Sequence, residues 1–411
     1  MAGICIVGAG HGGTQLAASL RDEGYEGPVA LISDDADLPY HKPPLSKSFM
    51  KTADAPLQSL RAESFFAQKG IDLRLGRRVA EIDRDGRTLR FGDGTRLAYD
   101  RLVLATGARA RRLTVEGADL PGVYHLRTAE DARAMRAGLP DGGHVVVVGG
   151  GFIGLEAAAM LAGRGLSVEI LEAGPRLLGR AASPETAAAL AKRLSASGVR
   201  IRCNASVERL SGGGRLEAVH VRGGDTLAAR MLVVGIGAVP CTGLAEACGL
   251  RCDDGIVTDA LLTTSDPAIS AMGDVAVFPQ EQLGRSCRLE SVQNATDHAR
   301  ALARTLTGKP TPYRALPWFW SDIGETKLQI AGLADGADDR IAVTSADGAL
   351  QSVWHMKHGV PVAVETLNAP GLHMLSRRLI AECVAPGVDA ILSGDVAPLK
   401  DAYAAARREV A

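Results

Sequence analysis

The chain carries the same glycine spacing twice, each time directly after a run of apolar residues. The first copy is Gly8-Ala9-Gly10-His11-Gly12-Gly13, after Ile4-Cys5-Ile6-Val7. The second is Gly149-Gly150-Gly151-Phe152-Ile153-Gly154, after His144-Val145-Val146-Val147-Val148. Both match G-x-G-x-x-G between a strand and a helix, the setting in which the spacing signifies a dinucleotide site. The first glycine (Gly8, Gly149) permits a tight turn and the second (Gly10, Gly151) lets backbone approach a pyrophosphate. The third (Gly13, Gly154) lets the helix lie close on the strand. The pyrophosphate then meets N–H groups that have no partner inside the helix. One such motif is weak evidence. Two imply two dinucleotides, and a chain that passes electrons between them.

The remaining pattern follows from that repetition. A length of 411 residues suits two or three domains. The first part reads as strand, glycine turn, a helix over 14–23 and a strand over 29–32, then a polar, proline-bearing stretch over 33–47. Strands follow over 71–75, 79–82, 88–91 and 101–105, with a hairpin turn at Gly92-Asp93-Gly94. The pattern restarts with a strand over 145–148, a helix over 154–164 and a strand over 168–171, and a continuous apolar strand over 232–237 closes it. The all-apolar strands predict a sheet covered on both faces. A strand over 268–272 and a helix over 294–306 return to the first domain. The last part alternates as antiparallel strands over 341–344, 351–356 and 361–365, followed by helices over 372–382 and 401–409. The expected fold class is α/β, with two Rossmann-like domains and a C-terminal α+β domain. Their bounds are 1–109 with 241–317, 110–240, and 318–411.

Hydrophobic content of 46% and charged content of 23% are those of an ordinary globular protein. A net charge of −1 gives no reason to expect nucleic-acid or membrane-surface binding. No apolar run approaches the ~18 residues of a membrane span. The first strand is expected to begin at Ile4, so no signal peptide is expected before it. The seven cysteines are scattered, with no C-x-x-C and no metal-ligand spacing, so no metal is expected. An odd, scattered count fits a reducing compartment, and a cytoplasmic protein is expected.

An acid at the end of the second strand of a dinucleotide unit binds ribose hydroxyls. Asp34 or Asp35 occupies that point in the first unit and Glu172 in the second. A carboxylate there accepts from both hydroxyls of a plain ribose and repels a 2′-phosphate, which favours NADH over NADPH. Arg176 and Arg180 lie near Glu172 in sequence and are the reason to test that preference.

Four further stretches narrow the reading. They are Leu38-Pro39-Tyr40-His41-Lys42-Pro43-Pro44-Leu45-Ser46-Lys47, Leu104-Ala105-Thr106-Gly107-Ala108, Ala271-Met272-Gly273-Asp274-Val275-Ala276 and Pro317-Trp318-Phe319-Trp320-Ser321-Asp322. With the two glycine motifs, the chain resembles flavoprotein reductases of the glutathione-reductase fold. Within them it is similar, over nearly its whole length, to the NADH-dependent ferredoxin reductases that serve bacterial cytochrome P450s and ring-hydroxylating dioxygenases.

The resemblance implies FAD and NADH as cofactors and a [2Fe–2S] ferredoxin as partner. Gly12 and its loop would hold the FAD pyrophosphate, Asp34 the adenosine ribose, and Val79 the adenine through its backbone. Thr106, Gly107 and Arg127 would be further FAD contacts, Asp274 would bind the ribitol, and Val292 would approach the isoalloxazine. Lys47 would lie beside the flavin ring, paired with Glu156 near the nicotinamide, as an electrostatic tuning pair. Trp320 would lie near the exit for electrons. Ferredoxins of this sort are acidic, so Arg300, Arg304 and Lys400 are candidates for docking. The stretch over 38–67 has no cysteine, which argues against disulfide reduction.

Two departures stand out. The aromatic usual two or three positions beyond Asp322 is missing from Asp322-Ile323-Gly324-Glu325, in a loop toward the expected partner surface, and Cys241 follows Val239-Pro240 where asparagine is usual. Alternatives on the same scaffold are a rubredoxin reductase or another NADH-dependent flavin reductase. A different class is a flavoprotein like apoptosis-inducing factor, which acts through partner binding. The oligomeric expectation is monomer or homodimer.

Overall fold

The computed structural model describes residues 2–52 and 54–410. The chain divides into two compact units, the first formed by Met1–Lys42, Pro56–Arg109 and Ala238–Ala315. Its spine is a parallel sheet in the order Ile71–Arg74, Val29–Ile32, Gly3–Val7, Arg96–Leu104, Ile269–Ala271. Register is set by pairs such as Ile6 with Leu31 and with Val103, and Leu104 with Ala271. Strand Gly3–Val7 is buried along its length because its side chains alternate between two cores. Ile4 and Ile6 join Leu16, Leu20 and Leu302 on one face, while Cys5 and Val7 join Leu102, Leu104 and Ile269 on the other. This sheet is thus covered on both faces.

Several boundaries differ from the sequence expectation. Helix His11–Asp22 begins earlier than residue 14, and Phe152–Ala162 begins earlier than residue 154. Glycine is a poor helix former, but here close packing on the strand outweighs propensity. Strand Arg96–Leu104 is longer than 101–105 because its first half pairs antiparallel with Thr88–Phe91 across the expected Gly92-Asp93-Gly94 turn. Only its second half joins the parallel sheet.

The second unit comprises Pro43–Ala55, Ala110–Gly237 and Leu316–Ala411. Its parallel sheet runs Arg200–Arg202, Ser167–Leu171, His144–Val148, Met231–Val234, Val123–His125. The strand expected over 232–237 ends at Val234. A Cβ on Gly235 would lie 3.1 Å from the Gly154 amide nitrogen, and Gly237 has φ +101°. The chain leaves the sheet there to pass its bare backbone along the second glycine helix.

The C-terminal sheet has five antiparallel strands in the order Trp318–Ile323, Thr326–Gly332, Val360–Leu367, Leu350–Lys357, Asp339–Thr344. Only the last three were legible as strands. Helix Pro370–Ala381 covers this sheet through Leu372, Leu375 and Leu379, and Val396–Val410 follows it. The Ile323-Gly324 departure makes a two-residue hairpin, with Ile323 paired to Thr326 and Gly324 at φ +60°, a conformation glycine adopts without strain. No helix among the described residues is long and apolar enough to cross a membrane.

One buried polar cluster ties this sheet to the dinucleotide half of the same unit. Glu365, 2% exposed, accepts from His355 Nε2 and the Ser183 backbone N–H at 2.8 Å each on Oε1. Its Oε2 accepts from Ser183 Oγ at 2.8 Å, and Ser183 caps helix Pro184–Ala196. Burial alone would raise the Glu365 carboxyl, but the hydrogen bonds from His355 and Ser183 outweigh it and hold the group below its usual range. A carboxyl lowered in the folded state adds stability above its unfolded value of about 4.3, and that stability is lost as pH falls through the folded value. Glu365→Gln is expected to cost about 2 kcal/mol in urea unfolding at pH 7. The gap to wild type should narrow below about pH 4; a gap independent of pH would show that the charge contributes nothing.

Candidate active site

The two glycine turns are shaped by the same constraints. Gly8 has φ +111° and Gly149 φ +106°, and a Cβ on either would meet a carbonyl oxygen, Ala105 at 2.2 Å or Gly235 at 2.4 Å. A Cβ on Gly13 would lie 1.9 Å from the Gly8 oxygen, and one on Gly154 2.0 Å from the Gly149 oxygen. The first and third glycines are therefore required by the protein's own backbone. The second are not: a Cβ on Gly10 would meet nothing within 4 Å, and on Gly151 nothing nearer than 3.9 Å. Those two positions are bare toward open space, which suits an external group that must touch backbone.

Electrostatics agree. Helices His11–Asp22 and Phe152–Ala162 start from Gly10 and Gly151 with no side-chain cap and no acid in the first turn. Helices Ala129–Ala137, Pro184–Ala196 and Val292–Leu306 are instead capped by Thr128, Ser183 and Ser291. The amides and positive dipole end of each glycine helix are left for an anion. The pyrophosphates of FAD and of NADH fit this pair of cradles.

The first unit contains most of the residues expected around FAD. A Cβ on Gly12 would be 2.9 Å from Met272 Cε and 3.3 Å from the Ala295 carbonyl. The missing side chain at Gly12 thus brings three segments together: the glycine loop, the Gly273–Val275 turn with Asp274, and helix Val292–Leu306, which begins at Val292. Asp35 is occupied, accepting from Tyr40 Oη at 2.9 Å and from the Asp37 N–H at 3.0 Å. Asp34 is exposed just past strand Val29–Ile32. Val79 is buried at the start of strand Val79–Asp83. Thr106 Oγ1 donates to the Cys241 carbonyl at 2.9 Å, and the Cys241 N–H donates to the Gly107 carbonyl at 2.9 Å. Those contacts use only the backbone of residue 241, so a cysteine in place of asparagine preserves them.

In the second unit Lys47 meets one buried carboxylate. Lys47 Nζ lies 2.8 Å from Glu156 Oε1, and Glu156 is 6% exposed. Ser46 Oγ donates to Glu156 Oε2 at 2.5 Å, and Ser321 Oγ donates to Oε1 at 2.6 Å. Ser46 and Ser321 were not singled out from sequence, although each sits inside a quoted motif beside a residue that was. On strand Trp318–Ile323 the alternation then sorts the side chains. Phe319 packs on Phe152 with centroids 4.4 Å apart and Ser321 reaches Glu156, both toward the second glycine helix. Trp318 and Trp320 form the other row, 5.5 Å apart. Arg127 belongs to this unit, where its backbone N–H donates to Asp131 Oδ2 at 3.1 Å.

Glu172 follows strand Ser167–Leu171 and is gripped by backbone. Its Oε2 accepts from the Gly150 N–H and its Oε1 from the Gly174 N–H, each at 2.6 Å. The acid is held against the glycine loop with its charge fixed in place, and is no mobile surface group. Arg176 is turned away from it: Nη1 donates to the Leu177, Leu178 and Ala182 carbonyls and Nη2 to that of Gly179. Arg180 is exposed. Of the candidate docking residues, Arg300 pairs with Asp297 at 2.8 Å, and Arg304 and Lys400 are exposed.

Comparison with known proteins agrees with this geometry. The chain matches the pyridine nucleotide-disulphide oxidoreductase family over residues 2–299 and the reductase C-terminal family over residues 318–403. It is 42% identical to rhodocoxin reductase of Rhodococcus erythropolis, over 92% of this chain and 89% of that protein. The crystal structure of a ferredoxin reductase from Rhodopseudomonas palustris superposes with a TM-score of 0.93 at 41% identity, covering 98% of this chain and 100% of that one. The reductase in the covalent putidaredoxin reductase–putidaredoxin complex does so with a TM-score of 0.93 at 37% identity, covering 99% of each chain. With two glycine cradles built for dinucleotides and a matching C-terminal sheet, the chain belongs to the pyridine nucleotide-disulphide oxidoreductase family, as a flavoprotein reductase that uses FAD and NAD(H).

Proposed function

We propose that the protein is an NADH:ferredoxin reductase, feeding single electrons through a [2Fe–2S] ferredoxin to a cytochrome P450 or ring-hydroxylating dioxygenase. The observation that carries this is the pair of glycine cradles, each leaving its second glycine and its helix amides open to a pyrophosphate. The likeness to a reductase solved in covalent complex with its ferredoxin supports the partner. The seven free cysteines fit a cytoplasmic setting.

Bound FAD supplies the redox chemistry, accepting two electrons from NADH and releasing them one at a time, while the protein supplies placement and electrostatics. Gly10, Gly12 and Gly13 would hold its pyrophosphate in the first unit, with Asp34, Val79, Thr106, Gly107, Asp274 and Val292 around it and Arg127 as a further contact. Gly149, Gly151 and Gly154 would hold that of NADH in the second unit, with Glu172 on its ribose. Glu156 keeps Lys47 in one place, because its two oxygens are shared among Lys47, Ser46 and Ser321. No side chain is required as nucleophile or base. Trp320 would lie on the route by which electrons leave, and the proposed domains are 1–109 with 241–317 for FAD, 110–240 for NADH and 318–411 as the C-terminal α+β part.

Four measurements test this reading. Purified protein with NADH and a [2Fe–2S] ferredoxin should reduce cytochrome c rapidly. Arg300→Glu should raise the KM for ferredoxin several-fold and leave ferricyanide reduction unchanged; equal effects on both acceptors would remove Arg300 from docking, and no ferredoxin dependence would refute the function. Lys47→Met should slow flavin bleaching by NADH in stopped-flow by roughly tenfold, a barrier change of about 1.4 kcal/mol, whereas an unchanged rate constant would take Lys47 out of the mechanism. Wild type should have a higher kcat/KM for NADH than for NADPH, and Glu172→Gln should narrow the ratio; a wild-type preference for NADPH would refute the role of Glu172.

A further inference from the structure

The turn Gly273–Val275, which carries Asp274, is held from beneath by one side chain that the mechanism does not use. The Gly273 N–H donates to Nδ1 of His298 at 3.1 Å. His298 lies on helix Val292–Leu306 and is 0% exposed. Its ring is boxed by Phe278 at 4.5 Å and 85° and by Tyr313 at 4.4 Å and 88°. Because Nδ1 accepts, the ring proton resides on Nε2, and Nε2 has no hydrogen-bond partner. Burial pushes the imidazole down to about 3, so the ring stays neutral and Nδ1 stays an acceptor across ordinary pH.

Leaving Nε2 bare in an apolar box is a cost that leucine or phenylalanine would avoid. What imidazole supplies and those residues do not is an acceptor for the Gly273 amide. Gly273 has φ +71°, and its amide would otherwise be a buried donor at the bend. Asn294, one turn earlier on the same helix, acts in parallel. Its Nδ2 donates to the Leu289 carbonyl at 3.1 Å, and its Oδ1 accepts from Tyr313 Oη at 3.2 Å. Two buried polar side chains on one helix face therefore anchor both the approach to Val292 and the Asp274 turn.

We propose that His298 is a positioning residue for FAD: its Nδ1 fixes the Gly273 amide and so the turn that presents Asp274 to the cofactor. The inference rests on the assignment of Asp274 to the FAD site made above. The test compares His298→Leu, which removes the acceptor, with His298→Gln, whose amide oxygen restores one. The readouts are FAD content per purified chain and the Kd for FAD on reconstitution of apoprotein. Wild type and the glutamine variant should bind alike, and the leucine variant roughly tenfold more weakly. Leucine binding as tightly as wild type, or glutamine as weakly as leucine, would overturn the proposal. Failure of wild type itself to take up FAD would instead bring down the cofactor assignment. Should the leucine variant not fold, hydrogen exchange at the Gly273 amide decides. Slow exchange in wild type and the glutamine variant supports the anchor, and fast exchange in wild type overturns it.

Discussion

The structure depends on a close approach of backbone to backbone, made twice. Gly13 lies against the Gly8 carbonyl and Gly154 against the Gly149 carbonyl, at separations where any Cβ would overlap an oxygen. No rotamer relieves such a contact, because the clash involves Cβ and main chain. Each glycine pair seats a helix tightly on the end of a buried strand and so leaves the helix N-terminus facing outward. The uncapped starts at Gly10 and Gly151 follow, and with them two places where negative charge is stabilised. The neighbouring elements then respect those seats: Gly235 leaves its sheet to clear Gly154, and Gly12 admits Met272 and Ala295.

Around the second seat, charge is organised by a single buried carboxylate. Glu156 lies one helical turn inside the second glycine helix, and two segments far apart in sequence converge on it. A buried acid is expensive unless paired and hydrogen-bonded, and here both oxygens are engaged. Removing any one donor would leave part of that acceptor unsatisfied, so the cluster fixes how Pro43–Ala55 and strand Trp318–Ile323 meet the glycine helix. Glu172 solves a similar problem with backbone amides, which hold a charge without adding a competing one.

Much of this was legible in sequence because its cause is local. The glycine spacing, the apolar runs before it and the acid at the strand end each impose their geometry within a few residues. What escaped detection has distant causes. The strands Trp318–Ile323 and Thr326–Gly332 alternate weakly, and only pairing with Val360–Leu367 makes them a sheet. Helix starts were misplaced because glycine reads as a breaker, while packing on the strand decides otherwise. Ser46 and Ser321 look like ordinary serines until the fold brings both to Glu156, and the place of Lys47 rested on family resemblance, since a lysine and a glutamate so far apart carry no pairing signal.

A reductase of this family must pass electrons from NADH to its own FAD. Anaerobic titration of the purified, FAD-loaded protein with NADH, followed by visible absorbance, measures this directly. The yellow flavin band should be lost with an end point at one NADH per FAD. A band unmoved by excess NADH, in protein that retains its flavin, would contradict it.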